Sequence, residues 1–232
     1  MTRPTLIALD ADDTLWHNET LFRMTQQRFH TLLAPYAEAA RVEAQLAAVE
    51  QRNLKVFGYG AKGFMLSMLE TAIELSAGSV PATVLAEIMA AGRELMTHPI
   101  QPLPGVRDAL QALAQRAPLV LVTKGDLFHQ ESKLAASGLG ELFSGVEIVS
   151  EKHADTYRRV FRRHNADPER SMMIGNSVRS DILPALEAGS HAVLIPYPLV
   201  WAHEAAEAPR AHPRFRQFDA LGEVVPWLDN WA

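Results

Sequence analysis

Three aspartates crowd the segment LIALDADDTLW, residues 6–16: Asp10, Asp12 and Asp13. The four apolar residues before them, Leu6 to Leu9, suit a strand buried on both faces of a parallel sheet. Asp10 then falls at the strand's carboxyl end, where open α/β sheets bind ligands. Two acids at i and i+2 in the turn beyond can converge on one small volume. Carboxylates held that close repel unless a cation or a proton offsets them. The residue types and their spacing therefore predict a metal-dependent reaction centre. Asp13, whose side chain diverges from that of Asp12, is expected to be a solvated or turn-capping acid.

Three more polar groups follow apolar runs of strand length. In PLVLVTKGD, residues 118–126, Leu119 to Val122 lead into Thr123, Lys124 and Gly125. Backbone N–H groups of a tight turn there can add donors to an anion. In VEIVSEKHADTYRRV, the run Val146 to Val149 precedes Lys152, and Tyr157, Val160 and Phe161 mark a helix behind it. In SMMIGNSVRSDILPALEAG, residues 171–189, Met172 to Ile174 read as a strand and Gly175 permits a sharp turn. Asn176 follows, and Asp181 is expected to begin a helix. Each site alone is common by chance. Four in order, each beyond a strand, form motifs in a shared structural context.

The spacing Asp-x-Asp-x-Thr-Leu after an apolar strand resembles the first motif of the haloacid dehalogenase-like (HAD) superfamily, most of whose members are phosphatases. The three later segments resemble its other motifs, so the likeness spans nearly the whole chain. It implies that Asp10 attacks phosphorus to form an aspartyl-phosphate, and that Asp12 protonates the leaving oxygen and later activates water. It implies that the Thr123 hydroxyl binds the transferred phosphoryl group, with Lys124 and Gly125 beside it, and that Lys152 offsets its negative charge. Mg²⁺ would be held by Asp10, the Asp12 backbone carbonyl, Asn176 and Asp181. His153 stands where a proline commonly follows the lysine. Asn176 stands where the family usually has an aspartate. An amide oxygen can ligate Mg²⁺ but brings no charge, which implies weaker metal affinity or a larger share for Asp181. A dehalogenase needs no acid for a halide leaving group and typically lacks an aspartate at the place of Asp12, so phosphoryl transfer is the expected chemistry.

These sites need elements to hold them. From about residue 100 strands and helices alternate, with strands near 119–123, 146–149, 171–175 and 192–195 and helical spacing at Val106, Ala109, Leu110 and Leu113 and again at Ile182, Ala185 and Leu186. Such alternation predicts an α/β fold: a Rossmann-like parallel sheet core with helices on both faces. A last strand and helix are expected within 197–232. Between the first strand and this series, apolar residues keep the helix period at Leu21, Thr25, Phe29 and Leu32, at Met65, Met68, Leu69 and Ala72, and at Leu85, Ile88, Met89 and Gly92. Pro99, Pro102 and Pro104 close that stretch. The expected domains are thus a core of residues 1–16 and 99–232 and an inserted all-helical cap of 17–98.

In GYGAKG, residues 58–63, the pattern Gly-x-Gly-x-x-Gly appears, but a dinucleotide site needs a strand before it. The preceding Val42, Leu46 and Val49 read as a helix, so a cap loop is expected instead. The family's caps of this type touch the leaving group through such loops, which makes Tyr59 and Lys62 candidate substrate contacts. Met65, Met68, Met89 and Met96 are expected in the cap's core.

Composition narrows the classes of function. A net charge of −5 argues against a dedicated nucleic-acid binder, and no run of eighteen apolar residues spans a membrane. The chain has no cysteine, so disulfides, thiolate metal sites and a Cys nucleophile are excluded. The amino terminus runs into the first strand without room for a signal peptide, and a cytoplasmic enzyme is expected. The expected function is a Mg²⁺-dependent phosphohydrolase of a small phosphorylated metabolite. The alternatives are a phosphomutase of the same superfamily and a non-catalytic phosphate-ligand sensor. Substrate identity and oligomeric state are not set by the sequence.

Overall fold

The computed structural model describes residues 4–230, apart from the side chain of His203. Six strands, β1 (Leu6–Leu9), β2 (Leu119–Lys124), β3 (Gly145–Val149), β4 (Ser171–Gly175), β5 (His191–Leu194) and β6 (Phe215–Gln217), form one sheet in the order β3-β2-β1-β4-β5-β6. Every pairing is parallel, with Leu9 level with Leu121 on one side and Ile174 on the other. The chain builds outward from β1 in one direction and then returns to build in the other. That reversal makes the carboxyl ends of β1 and β4 the switch point of a doubly wound sheet, the place where ligands bind in such folds.

Two compact units make up the chain. Residues up to Glu19, Ile100–Lys124 and residues from Gln130 onward form the sheet unit, and Thr20–Pro99 with Gly125–His129 form the helical one. Thus residues 17–19 group with the sheet, and a short piece after β2 groups with the helices. In the helical unit, α1 (Glu19–Leu33), α2 (Ala39–Phe57), α3 (Ala61–Leu75) and α4 (Ala82–Thr97) share a core that includes Phe29, Leu33, Leu46, Phe64, Met68, Ile88 and Leu95. Met68 is fully buried and Met65 and Met96 pack against this core, but Met89 is 38% exposed and does not belong to it. The loop between α2 and α3 is limited to Gly58–Gly60; Ala61, Lys62 and Gly63 already form the first turn of α3.

In the sheet unit, alternate strand residues point to opposite faces, and both faces are covered. Ile7, Leu9, Leu119, Leu121, Met172 and Ile174 meet α5 (Val106–Ala114) through Val106, Leu110 and Leu113. Leu6, Ala8, Val120, Val122 and Met173 meet α7 (Ala154–Arg163) through Tyr157, Val160 and Phe161. Burial on both faces explains why these strands read as unbroken apolar runs. Between β2 and β3 runs α6 (Leu127–Ser137), while α8 (Leu183–Glu187) and α9 (Val224–Asp229) follow β4 and β6. Asp181 does not begin a helix as expected; it lies inside one π turn, Val178–Ile182, that precedes α8. Among the described residues no helix is long and apolar enough to cross a membrane.

Candidate active site

Asp10 leaves the end of β1 with its backbone N–H donating to the Ile174 carbonyl at 2.9 Å, so β4 fixes its position. Its carboxylate is buried. Lys152, arriving just before α7, donates from Nζ to Asp10 Oδ1 at 2.5 Å and to Asp181 Oδ1 at 2.7 Å. Asp181 is reached through the π turn, and its Oδ2 also accepts the Ser177 N–H at 3.0 Å. Such turns recur where a side chain must be re-aimed at a functional site. The Tyr157 hydroxyl donates to the Ser180 carbonyl at 2.9 Å, closing the turn from below. Gly175 lets this happen: a Cβ there would overlap the Asp181 carboxylate.

Thr14 lies between Asp10 and Asn176. Its Oγ1 is 3.1 Å from Asp10 Oδ2 and 3.2 Å from Asn176 Oδ1. One hydroxyl proton cannot serve both acceptors fully. Asp10, Asn176 and Asp181 therefore offer a set of hard oxygen donors, with one oxygen short of a donor. That chemistry suits Mg²⁺. No three His, Cys, Asp or Glu side chains among the described residues cluster as a metal centre. The set here has an amide where a third carboxylate would stand.

The electrostatics show the same surplus of negative charge. Burial pushes the Asp10 carboxyl up to about 7 against the pull of the Lys152 ammonium, and the Asp181 and Asp12 carboxylates add to the rise. A bound cation would reverse it. Lys152 is held in its charged form: burial opposes the charge, but Asp10 and Asp181 outweigh it and raise its pKa.

Asp12 is held from three sides. Its Oδ1 accepts from Trp16 Nε1 at 2.7 Å and Lys133 Nζ at 2.5 Å, and its Oδ2 accepts from Gln130 Nε2 at 3.0 Å. Burial works to raise its pKa, yet the Lys133 ammonium and these hydrogen bonds hold it below the usual carboxylate range. Asp13 is not solvated. It is buried at φ 61°, caps the N–H groups of Asn18 and Glu19 where α1 begins, and is pushed by burial up to about 7.

Thr123 is buried at the end of β2 and shares Gln130 Nε2 with Asp12, at 2.8 Å. The Lys124 ammonium is engaged by Glu204 at 2.7 Å, Ser180 at 2.9 Å and Glu151 at 3.2 Å. Glu204 also accepts from the Ser177 and Ser180 hydroxyls. Burial opposes its charge, but Lys124 and these donors hold its carboxyl low. Hydrogen bonds thus connect Asp10, Asn176, Lys152 and Asp181 in one cluster and Asp12 and Thr123 in another. Tyr59, Lys62 and Gly125 belong to the helical unit, where Lys62 pairs with Asp126 at 2.9 Å. Beside Lys152 a cleft of about 400 Å³ is lined by residues that include His153, Arg158 and Arg179.

Sequence reasoning missed Thr14, Gln130, Lys133 and Glu204. A signal existed for α6: Gln130, Lys133 and Leu134 share a face at i, i+3 and i+4, and all three are buried. Buried polar residues on the face that also carries Leu134 have to meet partners. No comparable pattern marks Glu204, which arrives on a short turn, Ala202–Glu204.

A family model described as haloacid dehalogenase-like hydrolase matches residues 4–189. A crystal structure of a haloacid dehalogenase-like family hydrolase from Xanthomonas campestris is 41% identical, with a TM-score of 0.87 over 98% of this chain and 92% of that one. A glyceraldehyde 3-phosphate phosphatase from Methanothermobacter thermautotrophicus is 31% identical over 119 residues, 49% of this chain and 50% of its own. The chain thus spans about half the length of that curated relative. A phosphoserine phosphatase from Thermus thermophilus is 28% identical over 94% of this chain and 97% of its own.

Proposed function

We propose a Mg²⁺-dependent phosphohydrolase reaction for this chain, which belongs to the haloacid dehalogenase-like hydrolase family. The observation that carries the reading is the buried Lys152 ammonium joined to Asp10, with the Thr14 hydroxyl on the carboxylate's other oxygen and within reach of Asn176 Oδ1. A carboxylate so fixed is a nucleophile held for attack, and the lysine is a cation placed where negative charge gathers. The relatives named as phosphatases of small phosphorylated metabolites support the same class of substrate.

In the first step an Asp10 carboxylate oxygen attacks phosphorus. The bond from phosphorus to the leaving oxygen breaks, and Asp12, which must first take up a proton from solvent against the pull of Lys133, gives that proton to the leaving oxygen. In the second, water attacks the aspartyl-phosphate and loses a proton to Asp12. The bond between Asp10 and phosphorus breaks, and inorganic phosphate leaves with both aspartates restored. Thr123 donates its hydroxyl to a phosphoryl oxygen, and Lys152 offsets the charge that gathers there. Asp10, Asn176, Asp181 and the Asp12 backbone carbonyl would hold Mg²⁺. Bound there, the ion supplies charge that favours ionised Asp10 and lowers its repulsion from the phosphate.

Phosphate release from triose phosphates, phosphoserine and nucleoside monophosphates, with and without Mg²⁺, tests the reading, with Asp10→Asn as control. We expect Mg²⁺-dependent release that the substitution abolishes while the fold stays intact. Appreciable turnover by Asp10→Asn would overturn the nucleophile. Isomerised product without free phosphate would indicate a mutase.

A further inference from the structure

We propose that Gln130 is a positioning residue that sets the spacing between the acid–base carboxylate and the phosphoryl-binding hydroxyl, an inference that rests on the phosphohydrolase reading. Gln130 is 4% exposed on α6. Its Nε2 lies 2.8 Å from Thr123 Oγ1, 3.0 Å from Asp12 Oδ2 and 2.6 Å from the Lys124 carbonyl. A carboxylate and a backbone carbonyl can only accept, so the amide nitrogen must face them and the orientation of the group is fixed.

The amide carries two N–H hydrogens and faces three acceptors, the Asp12 carboxylate, the Thr123 oxygen and the Lys124 carbonyl, so one hydrogen is shared between two of them. Thr123 then meets Gln130 through its oxygen, and its own proton has only a long contact with the Lys124 carbonyl, 3.4 Å. That proton is the one a phosphoryl oxygen would take. Asp12 meanwhile has its other oxygen fixed by Trp16 and Lys133. Among the described residues, Gln130 is the side chain whose hydrogen bonds join Asp12 to Thr123.

The far end of the same amide points to function over stability. Gln130 Oε1 is buried with no partner, and an unmet buried acceptor costs about 1–3 kcal/mol. Methionine would fill the space without that cost. The amide is explained by its donations. Thr123 would hold the phosphoryl group while Asp12 protonates the leaving oxygen on the same phosphorus. The distance between them then decides whether attack and proton delivery coincide, and a misplacement near 1 Å can cost about a hundredfold.

The test compares Gln130→Met with the wild-type protein, at saturating Mg²⁺, on p-nitrophenyl, phenyl and glycerol phosphates. A nitrophenolate leaves with little help from an acid, whereas an alkoxide needs its proton. We expect kcat/KM for glycerol phosphate to fall at least about tenfold further than for p-nitrophenyl phosphate. An equal factor on all three esters, or none, overturns the proposal, because a merely structural role carries no dependence on the leaving group. The crystal structure of the variant decides independently. Displaced Asp12 and Thr123 side chains on an unchanged backbone support the proposal, and undisturbed side chains overturn it. A wild-type protein inactive on every ester would instead count against the phosphohydrolase reading, with the crystallographic comparison still deciding the role of Gln130.

Discussion

Lys152 and Asp10 stand 142 positions apart in the chain yet share a buried ion pair with Nζ 2.5 Å from Oδ1. The parallel sheet makes this meeting possible. β1 and β4 are neighbours, β2 and β3 follow on the other side, and all carboxyl ends emerge along one edge. One ammonium faces two carboxylates, and the pair is therefore an electrostatic arrangement before it is a stabilising one. Buried ion pairs of this kind roughly break even against apolar packing, but breaking one strands a charge.

Lys152→Met should therefore destabilise the protein by about 3–5 kcal/mol, read from urea denaturation. The loss comes from Asp10 and Asp181 facing each other without their cation. The double variant Lys152→Met/Asp181→Asn should recover much of it, because one stranded charge is gone. A double variant no more stable than the single one would show that charge is not the cause.

Gly175→Ala should break the same cluster from the other side. The added Cβ occupies the space of the Asp181 carboxylate, so Asp181 must leave Lys152 or β4 must shift. Overpacking of this kind costs about 1–3 kcal/mol. We expect a lower thermal midpoint together with weaker Mg²⁺ activation. A variant with unchanged melting and activation would mean that the turn yields freely.

The sheet and the order of its sites were legible because strands buried on both faces write themselves as apolar runs. Leu6–Leu9, Leu119–Val122 and Met172–Ile174 each end where a polar side chain turns into the site. The π turn was not legible, since Ser177 to Asp181 carries helix-compatible residues and only the Ser177 hydroxyl, which accepts the Ser180 N–H at 3.0 Å, and the space above Gly175 reveal it. Gln130 and Lys133 were only partly legible, through their shared spacing with Leu134. Their meaning depends on which face of α6 is covered, and periodicity alone does not say what covers it. Asp13 reads from the sequence as either a solvated or a turn-capping acid, and only the two backbone N–H groups it meets decide for the cap.

Asn176→Asp should tighten Mg²⁺ binding. Asn176 Oδ1 shares the Thr14 hydroxyl with Asp10, and a carboxylate there adds charge to the same donor set. A gain of about tenfold in affinity, about 1.4 kcal/mol, is expected from the Mg²⁺ dependence of turnover. The same variant should be less stable without metal, since it adds a third acid to a site already rich in charge. Unaltered Mg²⁺ dependence would remove residue 176 from the metal's surroundings.

His191 gives the fold a separate acid sensitivity. It begins β5, and burial, with Arg214, Arg216 and His212 nearby, lowers its pKa from an ordinary 6.5 to about 4. Between those values the unfolded chain binds a proton that the folded chain refuses. Stability must then fall as pH drops from about 6.5 to about 4, with no further change from this group below that window. His191→Gln removes the group, so proton uptake on unfolding should fall by up to about one proton within the window. Urea unfolding at pH 6.5, 5.5 and 4.5 reads this directly. The variant's stability should decline less steeply than the wild type's, whereas parallel declines would place the acid sensitivity elsewhere, with the buried Asp10 and Asp13 carboxyls shifted the opposite way. Those two acids bind protons more readily when folded, so they stabilise the fold as pH falls below about 7 and cannot produce the loss assigned to His191.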